Sequence, residues 1–166
     1  MGFEPVFKKY QYDSALRAFV VDSNKIEGIQ REPTDEEIEA HSKFLALDRP
    51  TVDDMVALVG VLQPDAKLRN ATSVHGVRVG GYVAPPSGPE IQANLETILE
   101  RAVRGDSPWE VHCQHETLHP FTDGNGRSGR ALWAWQMNKR VGTRLWFMDL
   151  GFLHSFYYQT LNNFHG

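Results

Sequence analysis

The chain has 166 residues, the size of a single domain with one sizeable core. Apolar residues make up 41% and charged residues 23%, which excludes disordered and fibrous classes, and the formal charge of −4 excludes an overall basic field for nucleic acid. The one cysteine, Cys113, excludes a disulfide framework and a four-cysteine metal site. It fits a reducing compartment, and a cytoplasmic location is expected. No apolar run approaches the ~20 residues that span a bilayer, and MGFEPVFKKYQYDS carries no signal-peptide stretch, so no membrane partner is expected.

Taken in chain order, Asp13 or Ser14 is predicted to cap a first helix through Leu16, Phe19 and Val20. Thr34 and Glu37, just before Ile38, form a capping-box pattern that opens a helix to about Leu47. Thr51 followed by Val52, Met55, Val56, Val59 and Leu62 reads as another helix. The stretch from Val74 to Pro89 differs. Val77-Arg78-Val79 alternates, Gly80-Gly81 is a turn signal, Tyr82-Val83 follows, and Pro85-Pro86 stops any pairing, so a short hairpin or flap is expected over 74–89.

Beyond it, Ile91, Leu95, Ile98, Leu99, Ala102 and Val103 recur at helical spacing between Glu90 and Val103. Ser107-Pro108 opens a helix that must end by Leu118, because Pro120 disfavours helical geometry at His119. Further helices are predicted from Asn125 to Arg140 and from Leu150 to Phe164. Trp133, Trp135 and Trp146 read as core packing rather than as stacking surfaces for bases. The expected fold is one all-α domain over 1–166 with a short β-hairpin flap.

The segment His119-Pro120-Phe121-Thr122-Asp123-Gly124-Asn125-Gly126-Arg127-Ser128-Gly129-Arg130 concentrates the chemistry. His119, just past a helix end, carries an imidazole, the side chain type best suited to proton abstraction near neutral pH. Asp123 supplies the hard oxygen that Mg²⁺ prefers. Gly124-Asn125-Gly126 brings bare backbone to a helix N-terminus, where free N–H groups and the helix dipole favour phosphate. Arg127 and Arg130, three apart, are expected on one helix face as two guanidinium forks suited to a polyphosphate. A base, a metal ligand, an anion cradle and two arginines are the parts of phosphoryl-type transfer. A plain polar helix–loop–helix turn is the alternative from the residues alone.

This segment resembles the signature HPFx(D/E)GNGRxxR of the Fic family (filamentation induced by cAMP), matching every specified position, and the likeness runs from about Ser23 to about Tyr158. The resemblance implies a helical Fic domain with a β-hairpin flap that moves AMP from ATP, with Mg²⁺, to a Tyr, Ser or Thr hydroxyl of a target protein. It implies His119 as general base, Phe121 as core anchor of the loop and Asp123 as the Mg²⁺ ligand. Gly124, Asn125 and Gly126 would form the anion hole, and Arg127 and Arg130 would hold the outer phosphates. Upstream, Ser23-Asn24-Lys25-Ile26-Glu27-Gly28 resembles the family's inhibitory motif (S/T)xxxE(G/N). There Glu27 would pair with Arg130 and block the γ-phosphate, which makes about 11–30 an inhibitory helix region. Val79 and Tyr82 on the flap would dock the target, the alternative being packing of the hairpin onto the core, and Tyr158 would contact adenine, the alternative being core packing.

Alternatives within the family are removal of AMP, with Glu27 aligning water, or transfer of UMP or phosphocholine. The presence of Gly126 favours nucleotide transfer over the phosphate-transferring branch, whose loop lacks this second glycine. Two remote alternatives are a non-catalytic nucleotide-binding module and a zinc peptidase, the latter from the HExxH pattern of His115, Glu116 and His119. Oligomeric state is left open by the sequence, a homodimer being one way in which assembly could relieve inhibition.

Overall fold

The computed structural model describes residues 3–141. The last predicted helix, Trp146 and the adenine contact assigned to Tyr158 lie outside these residues. Six helices and one hairpin follow in order among the described residues: α1 (Phe3–Ile26), α2 (Asp35–Leu45), α3 (Val52–Leu62), β1 (Arg78–Val79), β2 (Tyr82–Val83), α4 (Pro89–Arg104), α5 (Pro108–Leu118) and α6 (Asn125–Val141). The fold is the expected all-α arrangement with a short antiparallel flap, in which Arg78 faces Val83 and Val79 faces Tyr82.

Local chemistry sets most boundaries. Thr34 accepts from the Glu37 N–H while Glu37 accepts from the Thr34 N–H, a reciprocal pair that satisfies two otherwise orphaned donors of α2. Thr51 and Asp54 do the same for α3. Ser107 caps α5 and Pro108 opens it. The first helix corrects the expectation, because α1 begins at Phe3 and Asp13 and Ser14 lie inside it. Both are exposed, so two good capping residues on its outer face cost it only tenths of a kcal/mol. The stripe on α3 is also corrected: Leu58 is buried with Val52, Met55, Val59 and Leu62, whereas Val56 lies outside the core, 40% exposed.

Helix α6 is the hub, packing against all five other helices. Ala131, Leu132, Ala134 and Trp135 are buried along it, as expected for a helix covered on several sides. The Trp135 indole donates to the Leu47 carbonyl at 2.8 Å and Trp133 is partly buried against the core, both in line with a packing role. The loop 119–124 therefore feeds directly into the most constrained helix of the domain. Phe121 holds that loop down, 1% exposed within the main core.

Candidate functional site

The site is built where the end of α5, the loop 119–124 and the first turns of α6 meet the C-terminal end of α1. His119 caps α5 in the left-handed region, at φ 48° and ψ 63°. Its N–H donates to the His115 carbonyl at 2.9 Å, and its Nδ1 bonds the Glu116 carbonyl. A ring that donates through Nδ1 keeps Nε2 as its acceptor, which is the tautomer a general base requires.

The next residues are pinned by short-range pairing. Thr122 N–H donates to the Lys67 carbonyl, and the Lys67 N–H donates to the Thr122 hydroxyl, both at 2.9 Å. Leu68 and Phe121 form an isolated antiparallel bridge. The Asn125 side chain bonds both the N–H and the carbonyl of Phe121, at 2.9 and 2.8 Å, so this amide closes the loop on itself. Asp123 is exposed and accepts from the Gly124 N–H at 2.7 Å.

The two arginines separate. Arg127 turns toward the end of α3, donating to the Leu62 carbonyl and the Gln63 amide oxygen, each at 3.1 Å, and its buried Nε has no hydrogen-bond partner. Burial presses its pKa down from the ordinary arginine value. Arg130 turns toward α1. It donates through Nε to the Ser23 hydroxyl at 2.9 Å, and through Nη2 to the Ser23 carbonyl at 2.9 Å and Glu27 Oε1 at 2.6 Å. Ser23 is fully buried, whereas the Glu27 side chain keeps 37% of its surface.

Gly126 explains how that carboxylate gets so close. A Cβ at this position would stand 2.1 Å from Glu27 Oε1 and 3.0 Å from Arg130 Nη1. The carboxylate thus occupies side-chain space left empty in the first turn of α6, where helix N–H groups lack intrahelical acceptors. An anionic side chain already sits in the cradle that the sequence assigns to phosphate.

Residues outside the 119–130 segment help to hold this arrangement. Glu37, buried and capping α2, receives both arms of Arg31, at 2.6 and 3.2 Å, and the amide of Asn24 at 3.4 Å. Asn24 lies one turn before Glu27, and its carbonyl accepts the Glu27 N–H at 3.0 Å. The pairing with Arg31 holds the Glu37 carboxyl below the usual carboxylate range. Arg69, fully buried, bonds the His119 and Leu118 carbonyls at 2.7 and 2.8 Å. On the flap, Tyr82 donates to the Thr117 carbonyl at 2.7 Å, whereas Val79 is 47% exposed.

The HExxH residues form a different structure. His115 is buried, Glu116 is buried beside it at 3.5 Å, and His119 leaves the helix as its cap. Among the described residues no set of three His, Cys, Asp or Glu side chains converges as a metal site. This cluster instead packs against Gly129 of α6, whose lack of a side chain lets the two helices approach closely. A Cβ on Gly129 would stand 2.3 Å from Glu116 Oε1 and 2.8 Å from His115 Nδ1.

Buried histidines next to the site make stability pH-dependent. Burial pushes His41 and His112 each down to about 4. The unfolded chain takes up these protons near pH ~6.5, while the folded chain resists until about pH 4. Stability should therefore be level above pH ~7 and fall as the pH drops through this window, by up to about 1.4 kcal/mol per pH unit for each ring. Urea midpoints measured down to about pH 5 check this, and a constant midpoint contradicts it.

Among the described residues, no helix is long and apolar enough to cross a membrane. The family model described as Fic/DOC family matches residues 51–137, just over half of the chain, and includes the whole 119–130 loop. No solved structure matches the chain at a significant level.

Proposed function

The chain belongs to the Fic/DOC family, and from that premise we propose that this Fic-type transferase moves AMP from ATP to a Tyr, Ser or Thr hydroxyl of a target protein and is held in check by Glu27. The observation that carries the reading is the Glu27 carboxylate seated against Gly126 and 2.6 Å from Arg130. A carboxylate and a phosphate oxygen ask for the same donors, so the place it fills suits a nucleotide phosphate.

The residues divide the work as follows. His119 Nε2 takes the proton of the target hydroxyl. The hydroxyl oxygen attacks the α-phosphorus of ATP, and the bond to the departing pyrophosphate breaks. The amides at the start of α6 face the negative charge that builds on the phosphate oxygens. Arg130, once freed from Glu27, and Arg127 neutralise the outer phosphates. The donor chemistry at Asp123 fits Mg²⁺, because it is an exposed carboxylate two residues before α6. When bound, Mg²⁺ would supply charge neutralisation for the phosphates. Val79 and Tyr82 line the flap along which an extended target segment would pair.

Incubating the Glu27→Gly protein with candidate targets and either α- or γ-labelled ATP tests this reading. Label should pass to protein from the α position alone, and chelation of Mg²⁺ should stop it. Transfer from the γ position, or none from either, refutes AMP transfer. Removal of AMP is the second reading, favoured by the partial exposure of Glu27, which could hold a water. It requires Glu27→Gly to lose activity rather than gain it.

A further inference from the structure

The last four carbonyls of a helix have no intrahelical donor and must find one elsewhere. In α5 all four are matched: His115 by the His119 N–H, Glu116 by the His119 ring, Thr117 by the Tyr82 hydroxyl and Leu118 by Arg69. Two of the four donors, Tyr82 and Arg69, come from the flap and the strand-like segment that leads into it.

Arg69 has the wider reach. Its Nε and Nη2 hold the His119 and Leu118 carbonyls, while its Nη1 holds the Pro85 carbonyl at 2.7 Å and the Ser87 hydroxyl at 3.2 Å. Its own backbone continues the tie, its N–H donating to the Pro120 carbonyl at 2.8 Å and its carbonyl accepting from the Gly88 N–H at 2.9 Å. Every one of these acceptors is a neutral oxygen, so the buried cation is solvated by the backbone and by Ser87. A guanidinium has donors in a fixed plane and can serve two segments at once, which a lysine ammonium cannot match.

On the footing of the transfer reading above, we infer that Arg69 is a positioning residue that joins the flap to the His119 loop as one unit, so that docking a target on the flap and presenting its hydroxyl to His119 are a single geometric event. Without the guanidinium, the Tyr82–Thr117 bond and the backbone bonds of residue 69 still join the two segments, but the rigid fork that sets their spacing is gone. Arg69 makes no hydrogen bond to the first turns of α6, so the nucleotide cradle there should be indifferent to it.

Hydrogen exchange on the full chain reads the tie directly. In Arg69→Lys and in Arg69→Gln, the amides of Ala84 and Gly88 on the flap side and of Phe121 and Thr122 on the loop side should all exchange faster, by about tenfold or more, while those inside α2 and α3 keep their rates. In the Glu27→Gly background, Arg69→Lys should lower kcat by about 10- to 100-fold and leave KM for ATP within about twofold. Loosening confined to one side, faster exchange throughout α2 and α3, or an unchanged kcat overturns the inference. If Glu27→Gly with Arg69 intact transfers no AMP, the transfer reading fails by itself, and the exchange rates still decide whether Arg69 joins the two segments.

Discussion

Replacing His119 by Ala in the Glu27→Gly protein should lower AMP transfer by about 10²- to 10⁴-fold, the usual range for loss of a general base. The structure explains why the effect should fall on kcat. The His119 ring is oriented by the Glu116 carbonyl, and its backbone is held by His115 and Arg69, so it is fixed before any substrate arrives. Nothing in the cradle depends on the imidazole: Asn125 closes the loop through Phe121, and Arg127 is anchored on α3. ATP affinity, measured by calorimetry, should therefore stay within about threefold while single-turnover transfer collapses. A proportional loss of ATP binding would mean that His119 shapes the nucleotide site instead of acting on the hydroxyl. Because α5 loses the donor to its Glu116 carbonyl, His119→Asn is the useful companion, since it retains a short polar side chain without the base.

Glu27→Gly should act in the opposite direction and raise AMP transfer by about tenfold to a hundredfold, the range of a typical coupling free energy. The native carboxylate competes for the space beside Gly126 and for one arm of Arg130. It is also a negative charge where another must enter, which adds repulsion to simple occupancy. Removing it leaves Arg130 bound to Ser23 through Nε and Nη2, so the guanidinium keeps its place while Nη2 loses its carboxylate acceptor. Quantifying α-label incorporation by wild type and variant at equal ATP, with circular dichroism to show equal folding, decides the matter. Equal or lower incorporation removes the inhibitory role, and a loss of activity points to AMP removal. Glu27→Gln should release only part of the block, because the amide loses the charge but still fills the space.

Much of this machinery could be read from sequence because it is written in short-range grammar. The Thr34–Glu37 box, the Ser107-Pro108 start and the Pro120 stop each act within a few residues, and all three occur where expected. The expected Glu27–Arg130 pair spans more than a hundred residues yet was reachable, since both ends carry recognisable motifs. The start of α1 was not legible: Asp13 and Ser14 offered cap chemistry, but an uninterrupted helix leaves them harmlessly on its surface. The common face expected for Arg127 and Arg130 was correct in spacing and incomplete in outcome. Long side chains follow their acceptors, one to the carbonyl of Leu62 and the other to Ser23. Arg69 escaped altogether, because a buried arginine looks like an ordinary surface charge until the chain is folded around it, and Glu37 was legible as a cap but not as the acceptor of Arg31 and Asn24.

Gly126 carries a consequence for how this protein can diversify. A side chain at 126 and the carboxylate of Glu27 are rival tenants of one volume, so the two positions cannot drift independently. A lineage that placed even a methyl group at 126 would evict the Glu27 carboxylate and crowd the proposed phosphate seat in one stroke. One that discarded Glu27 would remain free to keep its glycine.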